Sequence, residues 1–262
     1  MLDAHRVTAA PVSVPAAITL TNVRKRFGTG AREVVALDGI SLKAQPGEFV
    51  CVVGASGCGK STLLSLIAGL DEPTAGTVRT AGRVALMFQD AALLPWRTAL
   101  GNVELALAVR GTPRSERRER ARQLLDVVRL GEFVDRRPHE LSGGMRQRVA
   151  LARALAQGAE ILLMDEPFGA LDAQTKLQLE DVLMDLWSAE QRTVLFVTHD
   201  LAEAVALSDR VVVMSARPGR IIADVPITLP RPRSVRALQK DEEFHHLYAK
   251  LWGLLEEGSD HA

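Results

Sequence analysis

Cysteine, aromatic residues, excess charge and long apolar runs are all scarce in this chain. Its two cysteines, Cys51 and Cys58, stand seven positions apart, a spacing that fits neither a zinc site nor a disulfide framework and agrees with a reducing cytoplasm. Lysine and arginine total 32 against 32 aspartate and glutamate, so the chain as a whole has no positive field to draw it to nucleic acid. No apolar stretch approaches the length needed to cross a bilayer. Residues 1–17 lack a basic start followed by an unbroken apolar segment, and they read as a mobile Ala/Pro/Val tail in place of a signal peptide. What is abundant is 47% hydrophobic and 24% charged residues over 262 positions, the composition of an ordinary soluble protein with a full α/β core.

The densest information lies in Gly54-Ala55-Ser56-Gly57-Cys58-Gly59-Lys60-Ser61-Thr62. An apolar run, Phe49–Val53, precedes it and reads as a buried strand; Leu63–Ala68 follows and reads as a helix capped by Gly69. Strand, glycine-rich loop and helix are the context that the phosphate-loop pattern G-x-x-x-x-G-K-[ST] requires. Gly54, Gly57 and Gly59 let the backbone curl until successive N–H groups point at one anion, and the helix start adds its unpaired donors. Lys60 then reaches the β- and γ-phosphates, the Ser61 hydroxyl suits Mg²⁺, and Thr62 is placed for a further phosphate contact. The pattern implies a bound nucleoside triphosphate.

Before this loop, Ile18–Val23 and Val34–Leu37 read as short strands, with Asp38-Gly39 turning the chain into another, Ile40–Lys43. They predict an antiparallel sheet flanking the nucleotide core. Phe27, at a strand end, is either a platform for an adenine ring or simple packing. After the loop, strands over Thr77–Arg79 and Arg83–Phe88 lead to Gln89, which either ligands Mg²⁺ and orients a water or is only a polar loop residue. Leu93-Leu94-Pro95-Trp96 is either an exposed apolar contact surface or folds onto its own core. Arg114–Arg122 forms the charged face of a helix opposite Leu124, Leu125, Val127 and Val128, read as solvated and not as a nucleic-acid or lipid site.

Further on, Ser142 is a good N-cap, and Gly143 and Gly144 give the backbone close access. This helix start reads as a second anion site or a purely structural cap. Glu160–Met164 is an apolar strand ending in Asp165 and Glu166: the first suits a magnesium shell, mostly through water, and the second can polarise an attacking water. A long amphipathic helix over about 173–189 precedes a buried strand, Thr193–Val197, with His199 at its carboxyl end, where α/β sheets bind ligands. Cys58, among the loop amides, is either a favoured thiolate or a small buried filler.

The set GASGCGKST, Gln89, LSGGMRQ at 141–147, ILLMDEP and His199, in this order, resembles the ATP-binding subunits of ABC transporters from about Ile18 to Ile222. LSGGMRQ is the part that other phosphate-loop enzymes lack. The resemblance implies an α/β phosphate-loop NTPase fold: a RecA-like core with an antiparallel β subdomain and an inserted α-helical subdomain over about 90–157. The ATPase domain would span 18–224, with an extension and terminal helix over 225–262. It implies ATP and Mg²⁺ as cofactors, with Ser61, Gln89 and Asp165 around the metal. Phe27 would stack adenine, although the family often has Tyr there, and Gln89 would meet both Mg²⁺ and the membrane partner. Lys60 would bind phosphate, Glu166 would be the catalytic base, and His199 the switch on the γ-phosphate. Ser142, Gly143 and Gly144 would touch the ATP of the opposite subunit, with Asp172 at the dimer contact. Gly169 stands where the family usually has Ser, a mild departure.

Partners implied are a second ATPase subunit, an integral membrane permease and, indirectly, a periplasmic or lipid-anchored solute-binding protein, with no nucleic acid. The chain would sit at the cytoplasmic face of the inner membrane. Leu93–Thr98, Phe168–Asp172, Ser215–Ile221, Pro230–Arg233 and the terminal Phe244, Leu247, Leu251 and Trp252 look like the nitrate/sulfonate/taurine importer branch. A DNA-directed ABC ATPase separates its nucleotide halves by coiled coils, but only about fifty residues lie between Gln89 and Leu141. A ribosome-directed one usually carries two cassettes, and this chain has one.

Overall fold

Fully buried, largely apolar strands form the centre of the structure, a computed structural model that describes residues 15–169, 171–233, 235–238 and 240–259. In chain order these are β1 (Ile18–Phe27), β2 (Val34–Ala44), β3 (Phe49–Gly54), α1 (Lys60–Ile67), β4 (Ala75–Thr80), β5 (Val84–Met87) and α2 (Ala99–Val109). There follow α3 (Arg114–Val127), α4 (Gly143–Ala156), β6 (Ile161–Asp165), α5 (Ala173–Glu190), β7 (Thr193–Val197) and α6 (Leu201–Leu207). The chain continues through β8 (Arg210–Met214), β9 (Ile221–Pro226), α7 (Val235–Leu238) and α8 (Glu242–Ser259).

Two sheets result. β2, β1 and β4 form an antiparallel sheet, and six strands in the order β5-β6-β7-β3-β8-β9 form the second. The larger sheet is parallel except for its last pair, β8–β9. Every residue of β3, β6 and β7 is buried, as a parallel sheet covered on both faces requires. Alternation sorts them. Cys51, Val53, Leu162, Met164 and Phe196 pack into the core shared with the helices, whereas Val50, Val52, Leu163, Leu195 and Val197 pack against β1, β2 and α1. Phe49 sits 5.9 Å from both Phe196 and Trp187, and Phe168 is 5.7 Å from Phe196, so aromatic rings tie α5 to the sheet.

Helices α2, α3 and α4 pack on one another as a separate layer. Asn102, fully buried in α2, accepts from the Leu94 amide at 2.8 Å and donates to the Thr98 carbonyl at 2.9 Å, which fixes the loop leading into that helix. At the other end of the chain, Arg231 stacks 4.1 Å over Trp187 and pairs with Asp209 at 2.7 Å. Arg233 donates to the Leu229 carbonyl and to the Ser208 carbonyl just past α6, and burial pushes its guanidinium pKa down to about 10. The Pro230–Arg233 segment is therefore an anchor for the extension.

Several expectations differ. Val34–Leu37 and Ile40–Lys43 are one strand, because irregular pairing with β1 absorbs Asp38-Gly39 without a turn. β1 itself runs on to Phe27. Val127 faces outward, 40% exposed, since it falls off the stripe defined by Ala121 and Leu125. Of the terminal apolar residues, Phe244, Leu247 and Leu251 are buried while Trp252 is 51% exposed, stacked on Tyr248. The expected tail lies outside the described residues as far as 14; Ala17 is buried, and its carbonyl accepts from Ala81.

Candidate functional site

β3 delivers the chain to the glycine-rich loop at the carboxyl edge of the larger sheet. Gly54 leaves that strand where a Cβ would lie 2.8 Å from Cys58 Sγ and 2.9 Å from the Met214 carbonyl. Gly59 has φ +102° and heads α1 without any side-chain cap, so the first-turn N–H groups of that helix keep their polarity directed into the loop. Lys60 is buried, and its ammonium donates to the carbonyls of Gly54 at 2.8 Å and Ala55 at 3.0 Å.

A cleft of about 340 Å³ opens over this loop. Ser56, Gly57, Gly59, Lys60, Ser61 and Thr62 form its floor, while Gln89, Glu166 and Arg217 line its walls. Phe27, Val34 and Ala36 close the far end, and Phe27 is 44% exposed with the Lys25 ammonium 5.0 Å over its ring. Phe27 is thus a rim residue with a free face. Gly54 and Ala55 line a neighbouring hollow instead, with His199 and Trp252.

Asp165 ends β6 just behind the cleft, buried, with Ser61 hydrogen-bonded to its carboxylate. Burial pushes the Asp165 pKa up, opposed by Ser61 and by the charge of Lys60. Glu166 follows at φ +44°, a left-handed conformation costing a residue with a side chain on the order of 1–3 kcal/mol. Its carboxylate lines the cleft. There Glu166 Oε2 lies 3.1 Å from His199 Nδ1 and accepts from Gln89 Nε2 at 3.3 Å. The carboxylate can only accept, so this contact is a hydrogen bond in the His199 tautomer that carries its proton on Nδ1. Gln89, Glu166 and His199, 110 positions apart at the extremes, meet on one oxygen.

The strand tip carrying His199 is braced by a buried polar network. Asp200 caps α6, accepting from Ala202 at 2.8 Å and Glu203 at 3.3 Å; Lys176 of α5 pairs with Asp200 at 2.5 Å and Glu203 at 2.7 Å. Thr198 donates to Glu203. Glu180, one turn along α5 from Lys176 and 1% exposed, has its pKa raised from 4.5 to about 7, first by burial and then by the charge of Glu203, with Lys176 opposing and Asp200 and Asp181 adding. Sequence reading missed this network. Its only trace was a charged residue on the apolar stripe of α5, between Leu179 and Leu183.

Ser142, Gly143 and Gly144 do not line the cleft. Ser142 Oγ accepts from the Met145 amide at 3.2 Å as the N-cap of α4, and a Cβ on Gly144 would lie 3.0 Å from Leu171. Asp172 caps α5 by accepting from Thr175 at 3.0 Å, and Arg148 reaches the Thr175 hydroxyl at 3.3 Å. So the candidate residues fall into two groups, one around the phosphate loop and one pairing the α4 start with the α5 start. Two further residues link α4 to the cleft: Gln147 donates to the Gln89 carbonyl at 2.5 Å, and Arg153 donates to the carbonyls of Ala91 and Ala92. Gln147 is the last residue of LSGGMRQ. Cys58 is a buried filler: it is 1% exposed and burial pushes its thiol pKa up despite Lys60 nearby.

Residues 37–169 match the family described as ABC transporter. The chain is 49% identical over 221 residues to the nitrate import ATP-binding protein of Synechocystis sp., covering 81% of this chain and 83% of that one. It is 48% identical over 237 residues to an aliphatic sulfonates import ATP-binding protein of Burkholderia lata, covering 88% and 70% respectively. The fold is similar to a dimeric ATP-binding cassette solved in a post-hydrolysis state with ADP and Pi, at TM-score 0.75 and 34% identity, over 81% of this chain and all of that one.

Two outcomes follow from this geometry. The folded state holds a proton on Glu180 that the unfolded chain releases near 4.5, so stability falls as pH rises from 4.5 to about 7 and is flat above. Urea unfolding at pH 5 and pH 8 should show wild type losing up to about 3 kcal/mol more than Glu180→Gln over that interval; parallel losses would contradict the assignment. Cys58 should alkylate far more slowly than a free thiol at pH 7 and more slowly still with Mg-ATP, whereas labelling indifferent to nucleotide would detach it from the phosphates.

Proposed function

Because the chain belongs to the ABC transporter family, we propose that two copies of it sandwich two ATP molecules and drive a membrane permease that imports a small oxyanion of the nitrate or sulfonate type. It is an ATP-binding, ATP-hydrolysing importer subunit, and the cassettes of this family are dimeric. The finer assignments are our reading. The observation that carries it is the meeting of Gln89 and His199 on Glu166 Oε2 beside the phosphate loop. Phe27 stacks the adenine, the loop amides of residues 54–59 with Lys60 and Thr62 bind the phosphates, and His199 holds the γ-phosphate. Glu166 orients and deprotonates the attacking water.

Ser61, Gln89 and Asp165 offer a hydroxyl, an amide oxygen and a carboxylate, an oxygen-only set that fits Mg²⁺. Bound there, Mg²⁺ offsets the charge developing on the β- and γ-phosphate oxygens. The separation of Ser142, Gly143, Gly144 and Asp172 from the cleft supports a role toward the nucleotide of a second copy. Each site then needs both chains, in a two-fold, head-to-tail pair. ATP contacts both chains only in the closed pair, so binding shifts the population toward closure, and loss of the γ-phosphate releases it.

None of the described helices is long and apolar enough to cross a membrane. We place the chain at the cytoplasmic face, held by the permease, with a solute-binding protein delivering the anion from outside. Trp96, 70% exposed on the Asn102-braced loop, with Leu94 partly buried beside it, supports a groove there for the permease.

Glu166→Gln should keep ATP affinity, lose about 10²–10⁴-fold in turnover and accumulate dimers on size exclusion with Mg-ATP. Turnover like wild type would remove Glu166 from the base role. Trp96→Ala, alone and with Leu94→Ala, should lower co-purification with the permease while ATP binding stays unchanged; undiminished co-purification would move the docking site elsewhere.

A further inference from the structure

The segment Ser215-Ala-Arg-Pro-Gly-Arg-Ile221 resembles the importer branch. It is the turn joining β8 to β9, and it lies directly on the phosphate loop. A Cβ on Gly219 would stand 2.1 Å from the Cys58 carbonyl, so only glycine permits this approach. The turn is held on its other side as well. Gly219 donates to the Ala36 carbonyl at 2.9 Å and accepts from the Asp38 amide at 3.0 Å, while Arg220 pairs with Asp38 at 2.5 Å. Ser215 Oγ accepts from the Arg220 amide at 3.0 Å and closes the turn internally.

Arg217 differs from every other group in this turn. Among the described residues it forms no ion pair, and its one hydrogen bond, Nη2 to the Gly57 carbonyl, is long at 3.5 Å. Its side chain is exposed and lines the same cleft as Lys60, Ser61 and Phe27. A permanent cation, paired with no carboxylate of the described residues, thus stands on a braced turn at the lip of a cradle of N–H donors. Water solvates it there, and its charge still favours an anion entering the cleft beside it.

We infer that Arg217 is a nucleotide-binding residue, contributing a charge-assisted hydrogen bond to the polyphosphate from the β8–β9 turn. This rests on nucleotide occupying the cleft over residues 56–62. The weak contact to the Gly57 carbonyl is the bond exchanged when the guanidinium turns to a phosphate oxygen, a far better acceptor for it. The role differs from that of Lys60, which is buried and already tied to two loop carbonyls. Arg217 therefore acts on affinity for phosphates and leaves the chemical step to Glu166.

The test is equilibrium binding of ATP, ADP and adenosine to the full chain, by competition with a fluorescent ATP analogue. Arg217→Ala should weaken ATP and ADP about tenfold or more and leave adenosine unchanged. Arg217→Lys should recover part of the loss, and raising the salt should cost wild type more affinity than Arg217→Ala. Tm without nucleotide should stay near wild type, since among the described residues the side chain makes only the one 3.5 Å hydrogen bond. Should Arg217→Ala lower Tm, Arg217→Met keeps the packing of the stem and serves in its place. ATP and ADP affinities equal to wild type would overturn the inference, as would equal weakening of adenosine. Lys60→Ala separates the two readings: if it also leaves ATP binding intact, the cleft is not the nucleotide site, whereas a Lys60→Ala defect beside a silent Arg217→Ala rejects Arg217 alone.

Discussion

Parallel pairing of β3, β6 and β7 in a sheet buried on both faces is the constraint on which the rest depends. Val52 pairs with Val197, Asp165 pairs with Val197 in turn, and Gly54 pairs with Met214. These registers bring four strand tips level at one edge. What the strands carry beyond their ends, the glycine-rich loop, Asp165-Glu166, Thr198-His199 and the Ser215–Arg220 turn, must therefore converge. A one-residue slip in any strand would invert its apolar faces and move its functional tip together, so packing and site geometry are enforced by the same burial.

The helical layer is bound to that edge by polar contacts. Gln147 and Arg153 of α4 grip the backbone of residues 89–92, and Asn102 of α2 grips residues 94 and 98. One loop thereby carries Gln89 at the cleft and Trp96 at the surface, clamped at both ends by helices of the same layer. A rigid-body shift of that layer moves Gln89 and Trp96 together. With a permease docked at Trp96 as proposed, this is a physical route by which an event there and an event at the nucleotide would share one free energy. The Lys176–Asp200–Glu203 network gives a matching connection from α5, whose start holds Asp172, to the strand tip that holds His199.

Much of this was legible in the residues because the signals are local. Val194–Val197 is all apolar and follows Thr193, and the strand runs over Thr193–Val197 as read. The loop at 54–62 declares itself because only glycines and small residues tolerate its curvature and only Lys-Ser-Thr supplies its chemistry. Where signals compete, reading failed in identifiable ways. Asp38-Gly39 carries turn chemistry, but pairing with β1 across both sides of it makes one bulged strand. Val127 is apolar yet off the buried stripe of its helix. Of the two readings of Cys58, the buried filler holds, because burial outweighs the nearby cation and amides.

The residues alone determined which chemistry is present: a loop for phosphates, two carboxylates at a strand end, a histidine at another, and a second glycine-bearing helix start. These follow from composition over a few positions, where propensity, capping and donor type act at short range. Only the tertiary structure decided which of them meet. It joined Gln89, Glu166 and His199 on one oxygen, set Ser142–Gly144 beside Leu171 away from the cleft, buried Glu180 beside Glu203, and laid Arg217 over Gly57. Those juxtapositions span tens to more than a hundred residues, and they are fixed by strand order and by burial on both faces of a sheet, which no local pattern encodes.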